Sequence, residues 1–429
     1  MIRNTIYAVR EDGLGERLCS IFNGLVLEEI AGVDFKFYWP SSKYLKGSIT
    51  QAIGSVEEIF SEEFIQKYCL RSFEKEQYKY MQPIEGDVNK YVMEVNNQNR
   101  EGCCLVPQNN IFRKLRIEKN KKSEIFKKVS EQIKYSDNIA LIKKSLEDNN
   151  VSDDLTAIHI RAGDIIYGKY SIYPDFSGKV ITLPLVLHII SSLEGKNIAL
   201  FGQEEDMMKI ITKKFGLIDV LEYYNGNEYT TLEKAMADIF FMSKCSKIFS
   251  GSSGFSRFAS MIGMIENKNV FDILNLKDIG CIIDGEVLKN REILNDKQIA
   301  YSYLIAFNKS YGKFDFDILR GFIEKAISYD VDNILYNFLY SVLLYVNGFY
   351  AESEYQINII LRKISHMTYE EFEKSDFKRM LKRSNTVEKY APIIKPSKKN
   401  SPLNAETVYR FFNGDIDEEI LYQKLIKKT

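Results

Sequence analysis

Histidine and tryptophan are scarce: three His (His159, His188, His366) and one Trp stand in 429 residues. The six cysteines (Cys19, Cys69, Cys103, Cys104, Cys245, Cys281) include no Cys-x-x-Cys pair. So little ligating chemistry argues against a zinc site and for reduced, buried thiols in a cytosolic protein. An excess of charge is missing as well: 58 Lys and Arg against 59 Asp and Glu leave a net charge of −1, which gives no general pull toward nucleic acid. The opening "MIRNTIYAVREDGLGE" has no apolar core of signal-peptide length. No apolar run approaches the roughly 20 residues that cross a bilayer. The expectation is a cytoplasmic chain, a placement compatible with peripheral attachment to a membrane.

What is present is an ordinary globular composition, 45% apolar and 27% charged, in a chain long enough for two to three domains. "NTIYAV", "RLCSIFNGLVLEEIAG" and "VDFKFYWP" predict strand, helix and strand, with Leu18, Ile21, Phe22, Leu25, Val26 and Ile30 at helical spacing. Helices are predicted at "SVEEIFSEEFIQKY" and "SDNIALIKKSLEDNN", and "LRIEKNKKSEIFKKV" reads as a solvated helix face or loop. From Leu155 strands and helices alternate. "LTAIHI", "KNIALFG", "IDVLEY", "SKIFS" and "NVFDILN" are the strands; "PLVLHIISSLEG", "EEDMMKIITKKFG", "TTLEKAMADIFFMSKC" and "GFSRFASMIG" are the helices. Thr230 and Glu233 have capping-box spacing. This alternation predicts a parallel sheet covered on both faces. Beyond about residue 295 only helices are predicted. Ser341, Leu344, Gly348, Tyr350 and Ser353 fall where a tetratricopeptide-like unit keeps small or aromatic residues. About one and a half such units are too few to stand alone, so they must pack on the rest of the protein or on another copy.

Three stretches could carry chemistry. "TAIHIRAGD" sets His159 and Arg161 two apart, which on a strand places them on one side, at the carboxyl end where open parallel sheets bind ligands. The Arg161 fork suits phosphate oxygens; pairing with Asp164 as a core ion pair is the plain alternative. "SGSSGFSR", containing Gly251, Ser252, Ser253 and Gly254, lies between a strand and a helix, where free amides and hydroxyls make an anion seat or a simple capped turn. "DGLGE", with Gly13 and Gly15, is half of a dinucleotide fingerprint without its third glycine. Glu11, Asp12 and Glu16 could meet an acceptor there.

"HIRAGD" resembles the His-x-Arg motif of the fucosyltransferase superfamily, the α1,2-, α1,6- and protein O-fucosyltransferase-like enzymes. The "GLGE" opening is similar to the Gly-Leu-Gly-Asn stretch of the α1,2 branch, with Glu16 in place of the Asn. "ADIFFMSKCSKIFSGSSGFSRFASMIG" resembles the family's donor-side segment, and the order of the three pieces matches over roughly residues 1 to 275. The chain departs from the pattern at Ala162, where the family has a second arginine, and at Arg257 and Phe258, where tryptophans are common.

The resemblance implies an α/β chain built as a GT-B-like pair of Rossmann-type domains. Residues 1–150 would be an acceptor-side domain, 151–295 a nucleotide-sugar donor domain, 296–390 a helical tetratricopeptide-like region and 391–429 a linker with a terminal helix. It implies an inverting glycosyltransferase that uses a GDP-sugar, with no metal and no other cofactor, in bacterial surface polysaccharide assembly. Arg161 would hold the β-phosphate, with His159 and Asp164 positioning it or the sugar. Ser252, Ser253 and Ser256 with Gly254 would bind the pyrophosphate. Asp238 and Phe255 would shape the nucleotide pocket, Arg257 would be a second phosphate ligand, and Gly202, Gly13 and Gly15 would border the donor. Asp12, Glu11 and Asp164 are all candidates for the general base. Two alternatives stand beside this: transfer of a heptose or a non-sugar group, and a non-catalytic interaction protein. Partners would be the donor and a glycan acceptor, with a membrane surface and a second copy compatible.

Overall fold

The structure, a computed structural model, describes residues 5–40, 53–74, 78, 80, 90, 92–93, 105–107, 117–148, 152–168, 170–193, 197–224 and 228–381. Cys103, Cys104 and the predicted linker and terminal helix at 391–429 lie outside the described residues.

In chain order, β1 (Thr5–Val9) leads into α1 (Leu14–Ala31) and β2 (Asp34–Tyr38). Two short helices follow, α2 (Val56–Ile59) and α3 (Glu62–Tyr68), separated because Ser61 caps a new start, and then β3 (Cys69–Leu70). Most of the segment read as a solvated face or loop lies in α4 (Lys119–Gln132), which buries Ile125, Phe126 and Val129; α5 (Asp137–Asp148) comes next. Then come β4 (Thr156–Ile160), the single turn α6 (Gly163–Ile166), α7 (Leu183–Ser192), β5 (Ile198–Gly202), α8 (Glu205–Phe215) and α9 (Thr231–Ser243). β6 (Lys247–Ser250), α10 (Gly254–Gly263) and β7 (Glu266–Asn269) follow. All later elements are helical: α11 (Val270–Ile273), α12 (Ile279–Asn290), α13 (Asp296–Ser310), α14 (Phe316–Tyr329), α15 (Ile334–Val346), α16 (Tyr350–Ile364), α17 (Tyr369–Lys374) and α18 (Asp376–Leu381).

The chain forms two compact units, each drawn from two stretches: Met1–His159 with Gly195–Asn269, and Ile160–Glu194 with Val270–Thr429. In the first, one sheet runs β1-β2-β3, all parallel, and a second has the order β5-β4-β6-β7, with β4 parallel to β6 and β6 to β7. The fold class is therefore mixed α/β with parallel sheets. A single apolar core serves both sheets, with Phe22, Phe37, Ile239 and Phe258 all buried in it. α1 packs against α10 and α4, and Phe22 meets Phe126 edge-on at 5.3 Å.

Two strand expectations need correction. "IDVLEY" is a 3₁₀ turn at Val220–Tyr224, and only Ile218 bridges to Ala199 of β5. The last strand is the polar Glu266–Asn269, while Val270 and Phe271 are buried at the start of α11. β7 is an edge strand with one partner, so it needs no apolar alternation to be stable there.

In the second unit, α13 is buried along nearly its whole length, packed against α14, α12, α7 and the turn at Pro174–Lys179. Gln298 accepts from the Leu183 amide at 3.3 Å, and Ser302 donates to the Thr182 hydroxyl at 2.7 Å. Asn308 donates to Ser177 at 3.1 Å, and Asn333 to the Ser171 carbonyl at 3.5 Å. Helices beyond residue 295 thus pack on the stretch that follows β4, within the second unit. α15 and α16 meet through fully buried Ser341 and Ser353, 2.9 Å apart, across a turn in which Gly348 takes a φ of 85°. No described helix is long and apolar enough to cross a membrane.

Candidate functional site

The serine turn is set up by strand pairing. β4 and β6 are in parallel register with His159 opposite Ser250, so the end of "TAIH" lies beside the start of "SGSSG". Both belong to the first unit. His159 is buried and its ring stacks on Phe255, the second residue of α10, at 5.2 Å and 19°. Two of the motifs picked out from the sequence therefore touch.

Inside the turn the hydroxyls differ in what they do. Ser253 caps α10 by accepting from the Phe255 amide at 3.3 Å. Ser256 is fully buried and donates to Ser250 at 2.8 Å, and Asn267 from β7 joins both. These hydroxyls hold the loop's shape. Ser252 is exposed and accepts from Asn269 at 3.2 Å, so it is the hydroxyl of the three that faces solvent.

The glycine turn after β1 packs onto this loop. Gly13 is the N-cap of α1, whose first turn lies against the first turn of α10. A Cβ on Gly15 would fall 2.3 Å from the Phe255 nitrogen, and one on Gly254 would fall 2.4 Å from Cδ of Glu16. Only glycine permits this approach. Glu16 is buried, and its Oε2 accepts from Nη1 of Arg257 at 3.0 Å. Gly13, Gly15, Glu16, His159 and the whole of Ser252–Arg257 thus gather around two helix starts.

The acids on the β1 loop have other ties. Arg10 grips both oxygens of Asp12, with Nε 3.0 Å from Oδ1. The loop itself is held by Arg17, which donates to the carbonyls of Asp12 (2.8 Å), Pro40 (2.9 Å) and Glu11 (3.3 Å) and lies over the Trp39 ring. Burial lowers the Arg17 pKa to about 10, against the raising pull of Asp12 and Glu11. Nothing in the sequence separates this arginine from a surface one; the neighbouring Gly-x-Gly turn, which leaves carbonyls to be satisfied, is the sole hint.

Asp238 belongs to a second polar group. It is buried on α9, accepts from the Tyr224 hydroxyl and pairs with Lys234 at 3.2 Å; Lys234 also reaches Glu205 at 3.6 Å. A cavity lined by Leu200, Phe201, Met208 and Val220 opens onto Lys234 and Asp238. Gly202 is the last residue of β5, next to Phe201 of that lining. Burial pushes the Asp238 carboxyl above its ordinary 3.8, opposed by Lys234 and Tyr224. A carboxyl whose folded pKa is raised adds stability that is full below 3.8 and lost as pH rises through the folded value. Asp238→Asn should therefore flatten the fall in unfolding free energy as pH rises above 3.8, checked by urea titration at each pH. An unchanged slope would take Asp238 out of the balance.

In the second unit, Arg161 follows the end of β4, so the alternation that set it beside His159 does not extend to it. It pairs with Asp164, Nη2 to Oδ2 at 3.7 Å, beyond hydrogen-bond reach. Asp164 is buried in the first turn of α6, and its Oδ2 has no hydrogen-bond partner among the described residues. Also among the described residues, no group of three or more His, Cys, Asp or Glu is arranged to hold a metal ion.

No family model matches this chain, and no curated protein matches it. Among solved structures it is similar to the fucosyltransferase NodZ from Bradyrhizobium, at 11% identity over 60% of this chain and 93% of that one, with a TM-score of 0.32. A NodZ α-1,6-fucosyltransferase soaked with GDP-fucose aligns at 13% identity over 61% and 92% of the two chains, TM-score 0.33. POFUT1 in complex with GDP-fucose aligns at 10% identity over 61% and 97%, TM-score 0.32. These solved structures to which the α/β chain is similar are fucosyltransferases, at an identity and a TM-score too low to bear on its chemistry.

Proposed function

We propose that this chain is an inverting, metal-independent glycosyltransferase that moves fucose or a related sugar from a GDP-sugar to a glycan acceptor in bacterial surface polysaccharide assembly. Its sheets are read as the Rossmann-type halves of a GT-B enzyme, and α13–α16 as a tetratricopeptide-like array. The observation that supports this best is the stacking of His159 on Phe255. It ties the His-x-Arg segment to a serine turn at a helix start, the two pieces on which the resemblance to the superfamily rests.

The chemistry follows from charge. Glycosyl transfer collects negative charge on the departing diphosphate, and fixed dipoles and cations stabilise it without reorganising. The start of α10 supplies oriented amides, Ser252 an exposed hydroxyl and Arg257 a cation. To Arg161 falls the role the motif implies, pairing its fork with the β-phosphate. His159 is held in place near the end of β4 by the Phe255 ring.

Calorimetric titration of the full chain with GDP, UDP, ADP and CMP tests the proposal. GDP-selective binding is expected. Preference for another nucleotide would move the donor to a different activated group, and no binding by any of them would overturn the proposal.

A further inference from the structure

Glu16 stands where the resembling stretch carries a neutral Asn, and its surroundings give that difference a consequence. It sits in the first turn of α1, yet its carboxylate lies on the first turn of α10: the ideal Cβ position of Gly254 is 2.6 and 2.8 Å from its two oxygens. Arg257 Nη1 lies 3.0 Å from Oε2, with the Glu16 side chain 8% and the Arg257 side chain 22% exposed. Two helix starts, each with partial positive charge, and one guanidinium thus converge on a buried carboxylate. Helix starts and arginines are the groups that capture phosphate, and here an anion from the protein's own chain already pairs with the arginine and lies against the start of α10.

We infer that Glu16 is a resident counter-anion that lowers the site's affinity for diphosphate: a nucleoside diphosphate at the start of α10 must draw Arg257 away from it. This rests on the proposed function, since it assumes that the diphosphate binds at that turn. Two anions in a poorly hydrated place repel far more strongly than on the surface, so the penalty falls on the diphosphate itself. The consequence is weaker retention of the diphosphate product and faster clearing of the site between turnovers. Glu16 acts through Arg257 and the local potential, as a positioning residue.

Glu16→Gln tests this in the full chain, because Gln keeps an oxygen for Arg257 and removes the charge. Binding of GDP and of inorganic pyrophosphate is measured by calorimetry on both proteins, and steady-state kinetics give kcat and donor KM. The variant should bind both anions at least about tenfold more tightly, with a lower KM and no matching rise in kcat. A merely structural carboxylate would not improve affinity when neutralised. Equal or weaker binding by the variant, with GDP still captured by the wild type, overturns the inference and leaves the proposed function standing. Failure of both proteins to bind GDP or pyrophosphate overturns the two together. Should Glu16→Gln unfold at the assay temperature, Glu16→Asn, the shorter neutral residue of the resembling stretch, carries the same comparison and the same outcomes.

Discussion

Replacing Arg161 with lysine should lower nucleotide-sugar turnover by roughly a hundredfold while leaving the melting temperature nearly unchanged. Lysine keeps a cation beside the buried Asp164 but loses the planar fork that grips two phosphate oxygens at once. The alanine variant is less clean. Its loss of turnover should be at least as large, but it also strips the ion-pair partner of a carboxylate whose Oδ2 has no hydrogen bond among the described residues. Leaving such a charge buried and uncompensated is destabilising, so Arg161→Ala should melt lower as well. Comparing the two separates the roles. A loss of turnover in both with a thermal shift in alanine alone assigns Arg161 to the chemistry. Near-normal turnover in the lysine variant, measured with GDP-sugars by product mass spectrometry, would reduce Arg161 to a counter-ion of Asp164.

Local signals were the legible part of the sequence. The Thr230–Glu233 capping box is present, with Thr230 accepting from the Glu233 amide, and acids, lysines and a glycine bracket α8, where Gly216 has a φ of 63°. The strand–turn–helix at Lys247–Gly263 is also as expected. These depend on residues within one or two turns of each other, where propensity and backbone satisfaction decide. What periodicity does not carry is which surfaces meet. Glu16 and Arg257 are 241 residues apart, and neither position is unusual for a solvated helix face. The grouping of Ile160–Glu194 with the late helices follows from buried polar contacts such as Asn308 to Ser177, which have no local signature. The predicted strand "LTAIHI" does end at Ile160; what did not hold was carrying its alternation on to Arg161, because the chain leaves the strand there and enters α6.

Gly15→Ala should destabilise the first unit by about 2 to 3 kcal/mol, although alanine is the better helix former. The new methyl would lie 2.3 Å from the Phe255 nitrogen, 2.5 Å from the Gly254 carbonyl carbon and 2.6 Å from the Phe255 Cα. All three are backbone atoms, so no side chain can rotate away, and α1 must withdraw from α10 by about an ångström. Intrinsic helix propensity returns at most about 1 kcal/mol, less than the overpacking costs against an unyielding backbone. Withdrawal also stretches the 3.0 Å contact between Glu16 and Arg257, so diphosphate affinity should change in the same variant. Gly13 is the control two residues away: nothing lies within 4 Å of its Cβ position, and its φ of −61° and ψ of 163° suit a serine N-cap. Gly13→Ser should be neutral or stabilising by a few tenths of a kcal/mol. Trp39, the one tryptophan of the chain, is buried in the first unit beneath the Arg17 guanidinium, so its fluorescence in a urea titration reports on that unit. A Gly15→Ala midpoint equal to the wild type would mean that α1 and α10 do not meet at Gly15, and the contact on which both the glycine turn and the Glu16 carboxylate depend would have to be given up.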